Sequence, residues 1–266
     1  MRIAISGKGG AGKTTLSAGL ARYFADQGRR VFAIDADPDA NLAPALGATD
    51  EQVAACTPLS QLDDLIEERT GSRPGTGGMF RINPDVADVP ESCGVLVNGV
   101  TVLRMGTVER GGAGCMCSES VFLQAFVRNL LLERDDVVVL DMEAGVEHLG
   151  RGTARGVDAF VVVVEPASRS LQTAALVRSL AADLGVQRVV AVANKITSAE
   201  DEAYVRDALG ETPIIAVIPD SPGIREADRR GESPYDLDAT FRAAVADAAA
   251  ALERLSTVTT PEREDR

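Results

Sequence analysis

A short apolar run, Arg2 to Ser6, leads directly into Gly7-Lys8-Gly9-Gly10-Ala11-Gly12-Lys13-Thr14-Thr15, and a helix-forming stretch follows at once. The pattern G-x-x-x-x-G-K-[ST] between a strand and a helix commits this segment to one geometry. Its glycines let consecutive backbone N–H groups turn inward around phosphate oxygens, and the helix start adds the positive end of its dipole. Lys13 is placed to reach the outer phosphates of a nucleotide, and Thr14 to offer its hydroxyl to Mg²⁺. Gly9, Gly10, Ala11, Gly12, Lys13, Thr14 and Thr15 together form the candidate nucleotide cradle.

The rest of the chain alternates short β-branched runs with longer helical stretches. Strands are predicted at Arg2–Ser6, Arg30–Ile34, Val137–Asp141, Ala159–Val164, Val189–Ala193 and Ile214–Ile218. Helices are predicted at Lys13–Gln27, Ser120–Leu132, Ser168–Leu184, Glu200–Leu209 and Asp238–Leu255. Such alternation implies an α/β fold, a single P-loop domain whose mainly parallel sheet is flanked by helices on both faces. Asn98-Gly99 between Val95-Leu96-Val97 and Val100 to Leu103 reads as a hairpin with a type I′ turn. The domain is expected to span residues 1–255, with a Gly-, Pro- and Asp-rich surface excursion at about 70–94 and a polar tail at 256–266.

Composition narrows the function classes. With 45% hydrophobic and 25% charged residues, the 266-residue chain has enough apolar content for a full core. A net charge of −13 argues against general binding to nucleic acid or anionic lipid. No apolar run is long enough for a membrane span, the N-terminus lacks the pattern of an export signal, and the cytoplasm is the expected compartment. Of 27 basic residues only Lys8, Lys13 and Lys195 are lysine. In so Arg-biased a chain, a retained lysine marks a place that wants a compact ammonium.

Asp141 ends the apolar run Val137-Val138-Val139-Leu140 and is the candidate second carboxylate at Mg²⁺, acting through water. Gly145, shortly after, is positioned to turn an N–H toward the terminal phosphate. Asn194-Lys195 follows another buried strand, on the ligand edge of an open sheet, where an Asn amide can pair with an adenine edge. Pro219-Asp220, after the next strand, would close the other side of the base.

Lys8 narrows the class further, because an ordinary phosphate loop leaves that position free. Here the chain resembles the deviant Walker A group of P-loop ATPases, which includes MinD and ParA ATPases and the nitrogenase iron protein. The resemblance implies ATP and ADP as ligands, a nucleotide-linked homodimer, and a Lys8 that reaches across the interface to the partner's nucleotide. It also aligns Asp35-Ala36-Asp37-Pro38-Asp39-Ala40-Asn41 with the switch I segment, with Asp37 positioning the attacking water. Lys8, Lys13 and Asp37 are thus the candidate catalytic residues.

Gly111-Gly112-Ala113-Gly114-Cys115-Met116-Cys117 precedes a helix. Two thiols at i and i+2 converge on one metal only where the backbone turns sharply, which the glycines permit. Two ligands make an incomplete site, but a two-fold axis through this loop would assemble four thiolates from Cys115 and Cys117 of both copies. Four thiolates suit Zn²⁺, Ni²⁺ or an iron–sulfur cluster. Cys56 and Cys93 have no partner at ligand spacing.

This Gly-Cys-Met-Cys, the Lys8 to Thr14 loop and the run Asp141-Met142-Glu143-Ala144-Gly145-Val146-Glu147-His148-Leu149-Gly150-Arg151-Gly152 together resemble the CooC family. Those accessory ATPases help insert nickel into carbon monoxide dehydrogenase, so the resemblance implies Ni²⁺ as cargo and that dehydrogenase as client. Ser118 stands where the family often has Pro. His148, the only histidine, is a switch contact, a packed residue or a metal ligand. Two other readings are a positioning ATPase of the MinD or ParA kind and an iron–sulfur carrier like the nitrogenase iron protein. The first needs a basic amphipathic helix or a basic DNA-binding face, and neither is evident. The second expects a further cysteine after the Asp141 segment, and none lies beyond Cys117.

Overall fold

The computed structural model describes residues 1–76, 79–107, 117–134, 136–143, 151–154, 156–186 and 188–257. Cys115, Gly145 and His148 lie outside the described residues.

Eight strands form one sheet: β1 (Arg2–Gly7), β2 (Val31–Asp35), β3 (Val95–Val97), β4 (Val100–Arg104), β5 (Val137–Asp141), β6 (Ala159–Val164), β7 (Val189–Ile196) and β8 (Ile214–Pro219). Their order is β3-β4-β2-β5-β1-β6-β7-β8. Every pairing is parallel except β3 with β4, the predicted hairpin, where Asn98 and Gly99 both take positive φ, 46° and 83°. From β1, the chain builds outward to either side, and at such a reversal the carboxyl ends of neighbouring strands open into a crevice.

Alternate residues of each central strand feed opposite layers, which is why both parities are apolar. Ile3, Ile5, Val31, Ala33, Val137 and Val139 pack with helices α1 (Lys13–Asp26) and α12 (Ala239–Thr257) through Leu16, Leu20, Phe24, Phe241 and Val245. Ala4, Phe32, Ile34, Val138 and Leu140 face the other side. There they meet Phe122 and Phe126 of α6 (Ser118–Arg128), Ala174 and Val177 of α8 (Ser168–Asp183), and Val205 of α9 (Ala199–Leu209).

The structure adds short helices that periodicity is too brief to announce: α2 (Leu42–Ala45), α3 (Asp50–Ala55), α4 (Asp63–Thr70), α5 (Val89–Cys93), α7 (Arg151–Ala154), α10 (Pro222–Arg230) and α11 (Pro234–Leu237). The 70–94 stretch is more than a surface excursion, since Val86 and Val89 enter the core beside Phe32 and Leu103. α12 runs through Thr257, beyond the expected end at Leu255. α6 begins at Ser118, two residues before the predicted start, because Cys117 supplies its N-cap. No helix among the described residues is long and apolar enough to cross a membrane.

Candidate functional site

The carboxyl ends of β1, β2, β7 and β8 border one open cleft of about 710 Å³. Gly9, Gly10, Gly12, Lys13, Thr14 and Thr15 line it, joined by Asp37 and Asn41 from the β2 side. Asn194, Lys195, Pro219 and Asp220 form another wall, which α10 extends through Ile224, Arg225 and Asp228. Fold topology thus gathers predicted nucleotide residues from three separate stretches of sequence and brings the catalytic candidate Asp37 to them from a fourth.

Ala11 is the exception in the cradle. Its methyl is fully buried in the α1 layer, and its N–H closes a turn on the Lys8 carbonyl at 3.1 Å. Gly12 cannot be replaced: φ is +96°, and a Cβ there would lie 2.2 Å from Asn194 Nδ2. Lys13 is buried, with 7% exposure, and still lines the cleft.

Behind the loop, Asp141 is fully buried at the end of β5, in register with Asp35 of β2. Its Oδ1 lies 2.9 Å from the Ser17 hydroxyl, whose one proton is shared between this oxygen and the Lys13 carbonyl. Burial pushes Asp141 up to about 7; the Thr14 and Ser17 hydroxyls and Lys13 offset part of this, while Asp35 adds to it. Asp141 Oδ2 is buried without a hydrogen-bond partner. An orphaned carboxylate oxygen beside a Thr hydroxyl is the donor set that Mg²⁺ and its waters satisfy, so these residues fit that ion.

Sequence reasoning gave Asp35 no role of its own. Its Oδ1 accepts the Asp37 N–H at 3.2 Å and its Oδ2 the Leu42 N–H at 2.9 Å, so it clamps both ends of the loop that carries Asp37. Burial pushes Asp35 up to about 6 against the pull of those two N–H groups. Asp37 itself is half-buried, its Oδ1 accepting the Asp39 N–H at 3.1 Å.

Lys8 is held within its own subunit. Its Nζ is 3.3 Å from Glu165 Oε1, and Lys195 Nζ is 3.1 Å from Glu165 Oε2. Burial raises the Glu165 carboxyl, but the two ammonium groups hold it below the ordinary glutamate value. Glu165 lies just past β6 and was not a sequence candidate; as an isolated Glu-Pro pair it carried no motif.

Cys117 caps α6, its Sγ accepting the Ser120 N–H at 3.4 Å. Among the described residues no group of three or more His, Cys, Asp or Glu side chains is arranged to hold a metal ion. The other member of the CxC pair, Cys115, lies outside the described residues.

Comparison with known proteins gives the family. The CobQ/CobB/MinD/ParA nucleotide binding domain matches residues 3–235. The carbon monoxide dehydrogenase accessory protein CooC of Rhodospirillum rubrum is 46% identical over 96% of this chain and 97% of its own. The chain belongs to the CobQ/CobB/MinD/ParA nucleotide-binding family, in the CooC group. An uncharacterized ATP-binding protein of Methanocaldococcus jannaschii is 43% identical over 90% of this chain and 92% of its own. Among solved structures, the cell division ATPase MinD of Pyrococcus furiosus superposes with a TM-score of 0.66 at 24% identity, covering 96% of this chain and 98% of that one. A ParA family ATPase from Chlorobium tepidum reaches 0.68 at 16% identity, covering 94% and 97%. Those two show the fold.

Proposed function

We propose that this protein is a Mg²⁺-dependent ATPase that carries nickel on Cys115 and Cys117 at a dimer interface and assists its insertion into carbon monoxide dehydrogenase. The observation that supports it most is the convergence on one cleft of the phosphate loop, Thr14 and Asp37, with Asp141 directly behind them. That is the apparatus of phosphoryl transfer to water, where positioning and electrostatics supply most of the rate. The 46% identity to CooC of R. rubrum supports the client.

In this reading Lys13 neutralises the outer phosphates, Thr14 and water held by Asp141 would ligate Mg²⁺, and Asp37 orients the attacking water and draws its proton. Mg²⁺ supplies charge neutralisation at the phosphates. Lys8 leaves Glu165 and crosses to the partner's nucleotide. The Lys8 side chain is 36% exposed and Glu165 keeps Lys195 as a second cation, so the Lys8–Glu165 pair can open without leaving the carboxylate unpaired. Pro219 and Asp220 flank the base. Ni²⁺ is substrate here: four thiolates from two copies give it a closed set of ligands, and Zn²⁺ would compete for them.

Release of phosphate from the purified protein with ATP and Mg²⁺, rising more than linearly with protein concentration, tests the proposal. Hydrolysis strictly proportional to concentration, or none, would count against an interface-dependent ATPase. Reconstitution of a nickel-free dehydrogenase by the nickel-loaded protein, with ATP required, tests the client.

A further inference from the structure

The end of β7 points to a role for Asn194 and Lys195 other than reading the base. The pairing of β7 with β8 slips by one residue between Ala193 and Ile196, so Asn194-Lys195 forms a bulge, with Lys195 at φ +58°. A left-handed conformation is costly for a lysine and is kept only where surrounding contacts fix it. Here the contacts run to the phosphate loop. Asn194 Nδ2 donates to the Ala11 carbonyl at 2.7 Å, and its Oδ1 accepts the Lys195 N–H at 2.9 Å. Lys195 Nζ donates to the Gly10 carbonyl at 2.6 Å and is anchored on Glu165.

Both ends of the carboxamide that the sequence offered to adenine are therefore engaged on backbone. In a trans peptide the carbonyl and the following N–H point in opposite directions. Holding the Ala11 carbonyl toward β7 turns the Gly12 N–H away from it, and holding the Gly10 carbonyl does the same for Ala11, whose N–H bonds to Lys8. The close approach of Asn194 to Gly12, which leaves no room for a Cβ, is the steric counterpart of the same contact.

We infer that Asn194 and Lys195 are positioning residues that brace the phosphate loop in its anion-binding shape, Glu165 serving as the anchor for Lys195. This rests on the nucleotide-site reading above and deepens it, assigning the pair to phosphate affinity and not to choice of base. A preorganised cradle does not have to reorient its N–H groups when a phosphate chain arrives, so removing the brace weakens a polyphosphate that fills the cradle whatever is attached to it, and a lone 5′-phosphate far less.

Displacement of a fluorescent ATP analogue by inorganic triphosphate and by AMP, each with Mg²⁺, separates the two roles. The proteins compared are wild type, Asn194→Ala, Lys195→Met and Lys195→Arg. Asn194→Ala and Lys195→Met are expected to weaken inorganic triphosphate about tenfold, the equivalent of one hydrogen bond lost from the brace, and to leave AMP within about twofold. Lys195→Arg, which keeps a cationic donor, should recover most of the loss. The Lys195 side chain is 45% exposed, so Lys195→Met tests the brace even if Asn194→Ala misfolds. Loss confined to AMP, with triphosphate unaffected, would make Asn194 a base reader and overturn the inference. So would a wild-type protein that binds ATP but not inorganic triphosphate. A wild type that binds neither would overturn the nucleotide-site reading itself.

Discussion

Where each lysine nitrogen is held decides what its loss should do. Lys13 is buried and lines the cleft, so Lys13→Ala should weaken ATP binding about a hundredfold, the loss of a charge-assisted contact to phosphate. Lys8 rests on Glu165 at the edge of the loop, outside the cleft lining. Lys8→Ala should therefore bind ATP nearly as well as wild type yet neither dimerise with it nor hydrolyse it. Calorimetry and light scattering together check both, and equal hydrolysis rates in wild type and Lys8→Ala would contradict the assignment. The Asp37 carboxylate accepts the Asp39 N–H on one oxygen and faces the cleft, where it can serve water. Asp37→Asn should keep Mg-ATP binding and slow hydrolysis by about 10²- to 10⁴-fold, the range for loss of a general base.

At the scale of elements, one side chain fixes the far wall of the cleft. Asp238 is buried and caps α12, its Oδ1 accepting the Phe241 N–H at 2.9 Å, while its Oδ2 accepts the Ser221 hydroxyl that caps α10. Asp238→Ala should cost about 1–2 kcal/mol in urea unfolding, the loss of a cap, and raise the KM for ATP because α10 lines the cleft. The central strands and long helices were legible because their apolar residues recur with a period of 2 or 3.6 over enough positions to be seen. α10 was not: Pro222-Gly223-Ile224-Arg225-Glu226-Ala227-Asp228 buries only Ala227, and its start depends on Asp238, sixteen residues after Pro222. The phosphate loop was legible for the opposite reason, that its chemistry is local. Ser17 and Glu165 stayed hidden because each acts through a partner distant in sequence, Ser17 on Asp141 and Glu165 on Lys8 and Lys195, whereas Asp35 acts on the nearby N–H groups of Asp37 and Leu42, which carry no side-chain pattern to read.

The whole molecule carries two proposed sites, and the account depends on their being joined through a dimer. The phosphate cleft lies at the carboxyl edge of the sheet. On the same edge β4 ends at Arg104, and the chain then leads toward the cysteine segment, re-entering the described fold at Cys117, the cap of α6. α6 shares one buried layer with β5, whose last residue is Asp141, and that layer is the route we propose between nucleotide state and the cysteines. Each chain offers one CxC pair, and a closed four-thiolate site needs two chains. The most direct test is a Ni²⁺ titration of the reduced protein with and without nucleotide, reading thiolate-to-metal charge transfer and molar mass in the same sample. The account predicts one Ni²⁺ per dimer, affinity that changes with nucleotide, and loss of both signals in the Cys115→Ser, Cys117→Ser double variant. One Ni²⁺ per monomer, or unchanged binding in that variant, would contradict it.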